Sequence, residues 1–416
     1  MARFAYSALV YLITPLIWLR LLWRARRQPE YLRNIGERYG FYGEPVAKNL
    51  IWVHAVSVGE TRAAQPLIEG LQARWPDHRI LLTGMTPTGR EAAREVYGER
   101  VLQAYLPYDY PGAVDRFFRH FSPVFGVLME TEVWPNLLAA AKRHDVPVIL
   151  ANARLSERSA RGYTRVPALA GPAFSALAGV AAQTAADAER ISRLGARRVE
   201  VCGNLKFDVS PPAERIALGR SWRAELAARP VWLAASTREG EEALVLAAWR
   251  RLAMPDALLV LVPRHPQRFD AVAALLEQEK VPSRRRSAGL PGPEDQVWLG
   301  DSMGEMAAYY ALADIAFVGG SLVRLGGQNL IEAAACGCPV LVGPHTFNFR
   351  QATEDAIAAG AALRVADSAM LADEIGRLLE DAQALAAMRA AAERFTARHR
   401  GAAGRTLTAI EAFIAR

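Results

Sequence analysis

The chain has 416 residues, 51% of them hydrophobic and 22% charged, which excludes a disordered chain and leaves room for two or three domains with large cores. Its net charge of +7 is concentrated at the start, where residues 1–40 hold seven arginines against two acids and the remainder is nearly balanced. Nucleic-acid binding usually needs a basic stripe over a globular face, so no nucleic-acid partner is expected, whereas a basic cluster beside an apolar run suits anionic lipid headgroups.

The first predicted element is Phe4 to Trp23, where only Ser7, Thr14, Pro15 and Arg20 are neither apolar nor aromatic. As one helix it would be ~30 Å long, about one hydrocarbon core. A cleaved leader carries its charge ahead of the apolar run; here only Arg3 precedes, and Arg20, Arg24, Arg26 and Arg27 accompany its end. The positive-inside rule then places the following chain in the cytoplasm, with residues 1–27 as a membrane signal-anchor. Pro15 and Arg20 leave open a helix lying flat in the interface instead of spanning.

After Gly40 a strand–turn–helix pattern repeats. Apolar runs at Leu50–Val58, Ile80–Gly84, Val101–Pro107, Val124–Met129, Val146–Ala151, Gly179–Gln183 and Val199–Cys202 read as strands, with helices such as Thr61–Arg74 and Gly89–Tyr97 between them. Continuous apolar strands alternating with helices predict a doubly wound parallel sheet over residues 40–208. The pattern breaks at Val209-Ser210-Pro211-Pro212 and restarts over 213–395, with strands at Val231–Ala235, Leu258–Val262, Val297–Leu299, Ile315–Val318, Val340–Val342 and Ala362–Val365. From Ala369 onward the chain is Ala-rich and helical, and its last stretch, 396–416, is expected to pack back on the first domain. Two such α/β units predict a cleft lined by the carboxyl ends of their strands. The three cysteines, Cys202, Cys336 and Cys338, are too few and too oddly numbered for a disulfide framework, and Cys336-Gly337-Cys338 lacks zinc-ligand spacing.

Polar clusters fall where strands should end. Val53 through Thr61 contains Gly59-Glu60, a carboxylate after a tight turn, which suits either a helix N-terminus or proton abstraction. Glu130-Thr131-Glu132-Val133-Trp134-Pro135-Asn136 brings two carboxylates to another strand end, and Gly203-Asn204-Leu205-Lys206 offers a lysine at the domain junction. In the second half come Ser236 through Glu241, Pro263-Arg264-His265-Pro266, Gly300 through Glu305, Gly319-Gly320-Ser321 and Gly326 through Glu332. Gly-rich turns that open helices bind phosphate through free backbone N–H groups, and Glu332 could accept bonds from ribose hydroxyls. No GxGxxG follows the first strand and no GxxxxGK[ST] occurs, which disfavours dinucleotide and ATPase readings; no metal-ligand spacing is found.

In order and spacing these motifs resemble the 3-deoxy-D-manno-octulosonic acid (Kdo) transferases of lipopolysaccharide synthesis. The resemblance implies a GT-B glycosyltransferase fold with two Rossmann-like domains, CMP-Kdo as donor, a lipid A precursor (lipid IVA) as acceptor, inversion at the anomeric centre and no metal cofactor. It also implies roles. Glu60 matches the catalytic base, and Glu130 and Lys206 match positions supporting the transition state. Arg264, His265, Met303, Gly304, Glu305, Asn329, Leu330, Ile331 and Glu332 match positions that hold CMP. Arg238 and Gln328 stand where the family often has histidine, and Ala333 where it often has proline. A GT-B transferase using a UDP-sugar and a membrane lipid is the competing enzyme reading, and a catalytically silent nucleotide sensor is the competing non-enzyme one. Oligomeric state is not legible.

Overall fold

The structure, a computed structural model, describes residues 1–26, 28–43 and 48–415. Arg27, the expected last residue of the anchor, lies outside them. The chain forms two compact units, one of Met1–Val209 with Arg400–Arg416 and one of Ser210–His399.

The first unit is built on seven parallel strands: β1 (Leu50–His54), β2 (Arg79–Gly84), β3 (Val101–Tyr105), β4 (Phe125–Met129), β5 (Val148–Ala153), β6 (Gly179–Ala182) and β7 (Val199–Val201). Their spatial order is β3-β2-β1-β4-β5-β6-β7. β1 is buried at every position because helices cover both faces of the sheet. Leu50 and Trp52 point into a cluster with Phe117, Phe118 and Phe121, while Ile51 and Val53 meet Ile68 and Leu71 on the other face. Trp52 lies flat on Gly126 of β4, where a Cβ would come within 2.4 Å of the indole. β1 leads to neighbours on both sides, so the strand order reverses between β1 and β4, the place where open α/β sheets form a crevice at their carboxyl ends.

The single N-terminal helix expected over Phe4–Trp23 is replaced by two, Ala2–Leu12 and Thr14–Ala25, bent by 44°; among the described residues no single helix is long and apolar enough to cross a membrane. Pro15 is the cause: it has no N–H to donate to the preceding turn and its ring clashes with that turn's carbonyl. The pair is docked on the first unit. Ser7 Oγ donates to Asn136 Oδ1 (3.2 Å), Thr14 Oγ1 and the Tyr110 hydroxyl share a hydrogen bond (2.7 Å), and Val10 is buried against Tyr110 and Ala113. Likewise the helix expected over Thr61–Arg74 divides into Val58–Ala63 and Gln65–Arg74, with Pro66 restarting it.

The C-terminal helix Ala402–Ile414 completes this unit. Phe413 lies over Gly179 of β6 and Leu407 over Gly70, each so close that a Cβ would come within 2.2 Å. The Asp208 carboxylate accepts the N–H groups of Gly401 and Ala403 at the helix start, and Arg198 donates to the carbonyls of Ala412 and Phe413 at its end.

The second unit repeats the plan with β8 (Val231–Thr237), β9 (Leu258–Pro263), β10 (Ser283–Arg285), β11 (Val297–Leu299), β12 (Ile315–Val318), β13 (Val340–Val342) and β14 (Ala362–Arg364), ordered β10-β11-β9-β8-β12-β13-β14 and all parallel. Here the order reverses between β8 and β12. The edge strand β10 is Ser-Arg-Arg and carries no apolar signal in the sequence.

Candidate functional site

In the first unit Glu60 follows β1 and Glu130 follows β4, so the two carboxylates flank the reversal point. Ser57 caps the helix that contains Glu60: its Oγ accepts from the Glu60 N–H (3.3 Å) and donates to Glu60 Oε1 (2.9 Å), while Val56 N–H donates to Oε2 (2.9 Å). Burial pushes the Glu60 carboxyl up to about 7; the Val56 and Ser57 hydrogen bonds oppose this, and the nearby charges of Glu130 and Glu132 add to it. A carboxylate poised near neutrality can hold or release a proton at working pH.

Glu130 has φ of +59°, a left-handed conformation that is strained for a residue with a Cβ. Its carboxylate accepts from Lys206 Nζ at 3.0 Å, both side chains being largely buried. Lys206 sits in a turn after β7, three strands away from β4, and reaches Glu130 because Asn152 holds that turn. Asn152 Oδ1 accepts from Leu205 N–H (3.0 Å), and Asn204 Oδ1 caps Lys206 N–H (3.0 Å). Asn152, with φ of +52°, lies where the β5–β6 register shifts. Its signal in the sequence is slight, an asparagine directly after the apolar run ending at Ala151. Glu132 accepts from Trp134 Nε1 (2.7 Å), and Asn136 ties down Asp109, whose carboxylate takes the N–H groups of Asn136 and Leu137. These two motif residues build the site's frame. His54 turns into the core, with Nδ1 on Thr83, and burial lowers it to about 3, so it stays neutral.

In the second unit the candidate residues leave four adjacent strands at their carboxyl ends. Arg264 and His265 follow β9, Met303–Glu305 follow β11, and Asn329–Glu332 follow β12, with Arg238 after β8 between them. Burial together with the charges of Arg238 and Arg264 depresses the His265 imidazole, a concentration of positive charge suited to an anion. Met303 is exposed and Gly304 has φ of +76°. Glu305 Oε1 accepts from Arg286 (3.2 Å) and lies 3.7 Å from Arg215, while its Oε2 is buried with no hydrogen-bond partner. Leu330 and Ile331 are core side chains, so only their backbone is available to a ligand. Asn329 Oδ1 caps its own helix at Ile331 N–H (3.2 Å). The N–H groups of the Gly-rich turn differ from expectation: those of Gly320, Ser321 and Leu322 are taken by the buried Glu241 carboxylate and are not free for a phosphate. Among the described residues no group of three His, Cys, Asp or Glu side chains could hold a metal ion.

Residues 33–209 match the family described as 3-deoxy-D-manno-octulosonic-acid transferase (kdotransferase), and residues 243–395 match glycosyl transferases group 1. The chain is 47% identical to the 3-deoxy-D-manno-octulosonic acid transferase of Bordetella pertussis over 99% of each chain. It belongs to the Kdo transferase family. The corresponding enzyme of Haemophilus influenzae is 42% identical over 84% of each chain. The fold is shared with a glycosyltransferase from Rickettsia africae (TM-score 0.60, 13% identity, 88% of this chain and 98% of that one). It is shared equally with UDP-GlcNAc 2-epimerase from Neisseria meningitidis (TM-score 0.61, 15% identity, 88% and 100%). Both units of this Kdo transferase family member thus have the parallel α/β architecture found in GT-B enzymes.

Proposed function

We propose that the chain is an inverting glycosyltransferase that moves Kdo from CMP-Kdo to a lipid A precursor, lipid IVA, in lipopolysaccharide synthesis. Family membership supports Kdo transfer, and the observation that carries the chemistry is Glu60, a half-buried carboxylate raised to about 7 beside the Glu130–Lys206 pair. The acceptor hydroxyl is weakly acidic. Glu60 takes its proton as the new C–O bond forms to the anomeric carbon, and the bond to the CMP phosphate breaks on the opposite side. Lys206, held by Glu130, places a positive charge where negative charge gathers in the transition state. Arg264 and His265 hold the CMP phosphate, Glu332 and the Asn329–Ile331 backbone the nucleoside, and Met303–Glu305 the remaining side of the nucleotide. In this reading protein cations supply the charge stabilisation and no metal is needed, so EDTA leaves turnover intact.

The same reading puts the N-terminal helix pair in the interface of the inner membrane, on its cytoplasmic face. Phe4, Leu12, Leu16, Leu19 and Trp23 are all at least 60% exposed, which is costly in water and suits a lipid acceptor's surroundings. Incubating the purified protein with CMP-Kdo or UDP-sugars and tetraacylated lipid A precursor, and weighing the product, tests the reaction. A mass gain of one or more Kdo units from CMP-Kdo is expected; a gain only from a UDP-sugar, or CMP binding with no product, would refute it.

A further inference from the structure

The helix Glu241–Leu252 opens with two glutamates, and both are almost wholly buried. Glu242 has a conventional explanation: it accepts from Arg268 (3.1 Å) and from Thr237 Oγ1 (3.2 Å). Glu241 faces backbone. Its Oε2 accepts from Gly320 N–H (2.6 Å) and Arg238 N–H (3.1 Å), and its Oε1 from Leu322 N–H (3.0 Å) and Ser321 N–H (3.1 Å). Four backbone donors converging on one carboxylate resemble the way such turns hold a ligand phosphate. Here the protein has filled that nest with its own anion.

The position of this nest gives it meaning. Arg238 follows β8 and Gly320 follows β12, the two strands between which the order reverses, so Glu241 clamps together the two sides of the crevice where ligands bind in such sheets. The clamped turn then folds on itself, Gly327 N–H donating to Gly320 O (2.8 Å) and Gln328 N–H to Gly319 O (3.0 Å), and runs directly into Asn329. Gly320, Gly326 and Gly327 all have positive φ, so the turn's shape is one that few sequences hold unaided. A Cβ on Gly319 would come within 2.8 Å of Glu241 Oε2, which shows how closely backbone and carboxylate meet.

We propose that Glu241 is a positioning residue of the donor site, fixing the 319–328 turn across the β8–β12 crevice so that Asn329–Glu332 meet the nucleotide. This rests on the reading of the second unit as the CMP-binding side. With the N–H groups of Gly320, Ser321 and Leu322 taken by Glu241, those three cannot meet the donor phosphate, and Arg238 at the β8 end with Arg264 and His265 at the β9 end are the cations placed to do so.

The test uses the full-length protein and isothermal titration of CMP, followed by steady-state kinetics with CMP-Kdo. Glu241→Gln keeps the shape but turns an NH2 toward two of the four N–H donors. It should raise the CMP Kd and the KM for CMP-Kdo at least tenfold, with kcat at saturating donor changed less than threefold. Glu242→Gln, equally buried on the same helix but away from the turn, should keep CMP affinity within threefold of the parent. Glu241→Asp, which retains the charge on a shorter stem, should fall between parent and Gln, and it carries the test if the Gln variant does not fold. Parent-like CMP affinity in both Glu241 variants, or equal losses in Glu241→Gln and Glu242→Gln, would overturn the positioning role. A folded parent protein that does not bind CMP at all would overturn the donor-side reading and this inference with it.

Discussion

Replacing Glu60 by Gln should stop turnover and at the same time stabilise the protein, but only above neutral pH. Burial raises the folded-state pKa of Glu60 from 4.5 to about 7. The protonated form is therefore favoured by folding, and this contribution is complete below pH 4.5 and is lost as pH rises through 7. With each pKa unit equal to 1.36 kcal/mol, the raised pKa costs the folded state about 1 kcal/mol at pH 5, where folding makes the carboxyl take up a proton, and about 3 kcal/mol at pH 8, where it is ionised while buried. Gln carries no charge and avoids that cost, but it mismatches one of the two donors, Ser57 Oγ and Val56 N–H, for about 1 kcal/mol at any pH. The variant should thus be near-neutral in stability at pH 5 and about 2 kcal/mol more stable than the parent at pH 8, as read from urea unfolding at both values. Its kcat should fall ~10²–10⁴-fold, while in the parent kcat should rise with a midpoint near pH 7. A variant that is less stable than the parent at pH 8 and keeps its turnover would mean that Glu60 serves only as a favourable charge at a helix start.

Lys206→Met leaves the Glu130 carboxylate largely buried without its cation; both melting temperature and kcat should drop, and adding Glu130→Gln should restore the first but not the second. Phe413→Ala empties the space over Gly179 and should cost about 3–5 kcal/mol in unfolding experiments. Gly126→Ala drives a methyl into the Trp52 ring and should cost about 1–3 kcal/mol, visible as a shifted denaturant midpoint. The pair Leu16→Glu and Leu19→Glu should abolish sedimentation with anionic vesicles and leave CMP binding unchanged; retained sedimentation would place the lipid contact elsewhere.

The strands were legible because a parallel sheet covered on both faces writes itself as unbroken apolar runs such as Leu50–His54 and Leu258–Pro263. What escaped was structure with no apolar signature: β10, an edge strand of Ser-Arg-Arg, and the helix break at Pro15, where hydropathy says continue and the missing N–H says stop. Glu60, Glu130 and Lys206 could be named from strand ends, but the sequence gives no distance between Glu130 and Lys206. That contact depends on Asn152, a bulged residue 54 positions before Lys206, catching the turn that carries the lysine. The Gly-rich turn was read for its glycines, and the residue that occupies its N–H groups lies 79 positions earlier than Gly320, at the start of another helix. Local pattern reports backbone conformation well and reports which group fills it poorly.

The return of the last helix to the first unit also bears on how the chain is made. Residues 400–416 supply Phe413, Leu407 and Ile410 to a core whose other members are synthesised before residue 210. Translation at about 5–20 residues per second needs roughly 10–40 s to produce the intervening segment, Ser210–His399. Throughout that interval the nascent first unit presents the apolar surface around Gly179, Ile68 and Leu71 with nothing over it. The inserted second unit, contiguous in sequence, has no such wait. The chain is therefore expected to finish its second unit first, and to lean on chaperones for the first unit until the helix Ala402–Ile414 has been made.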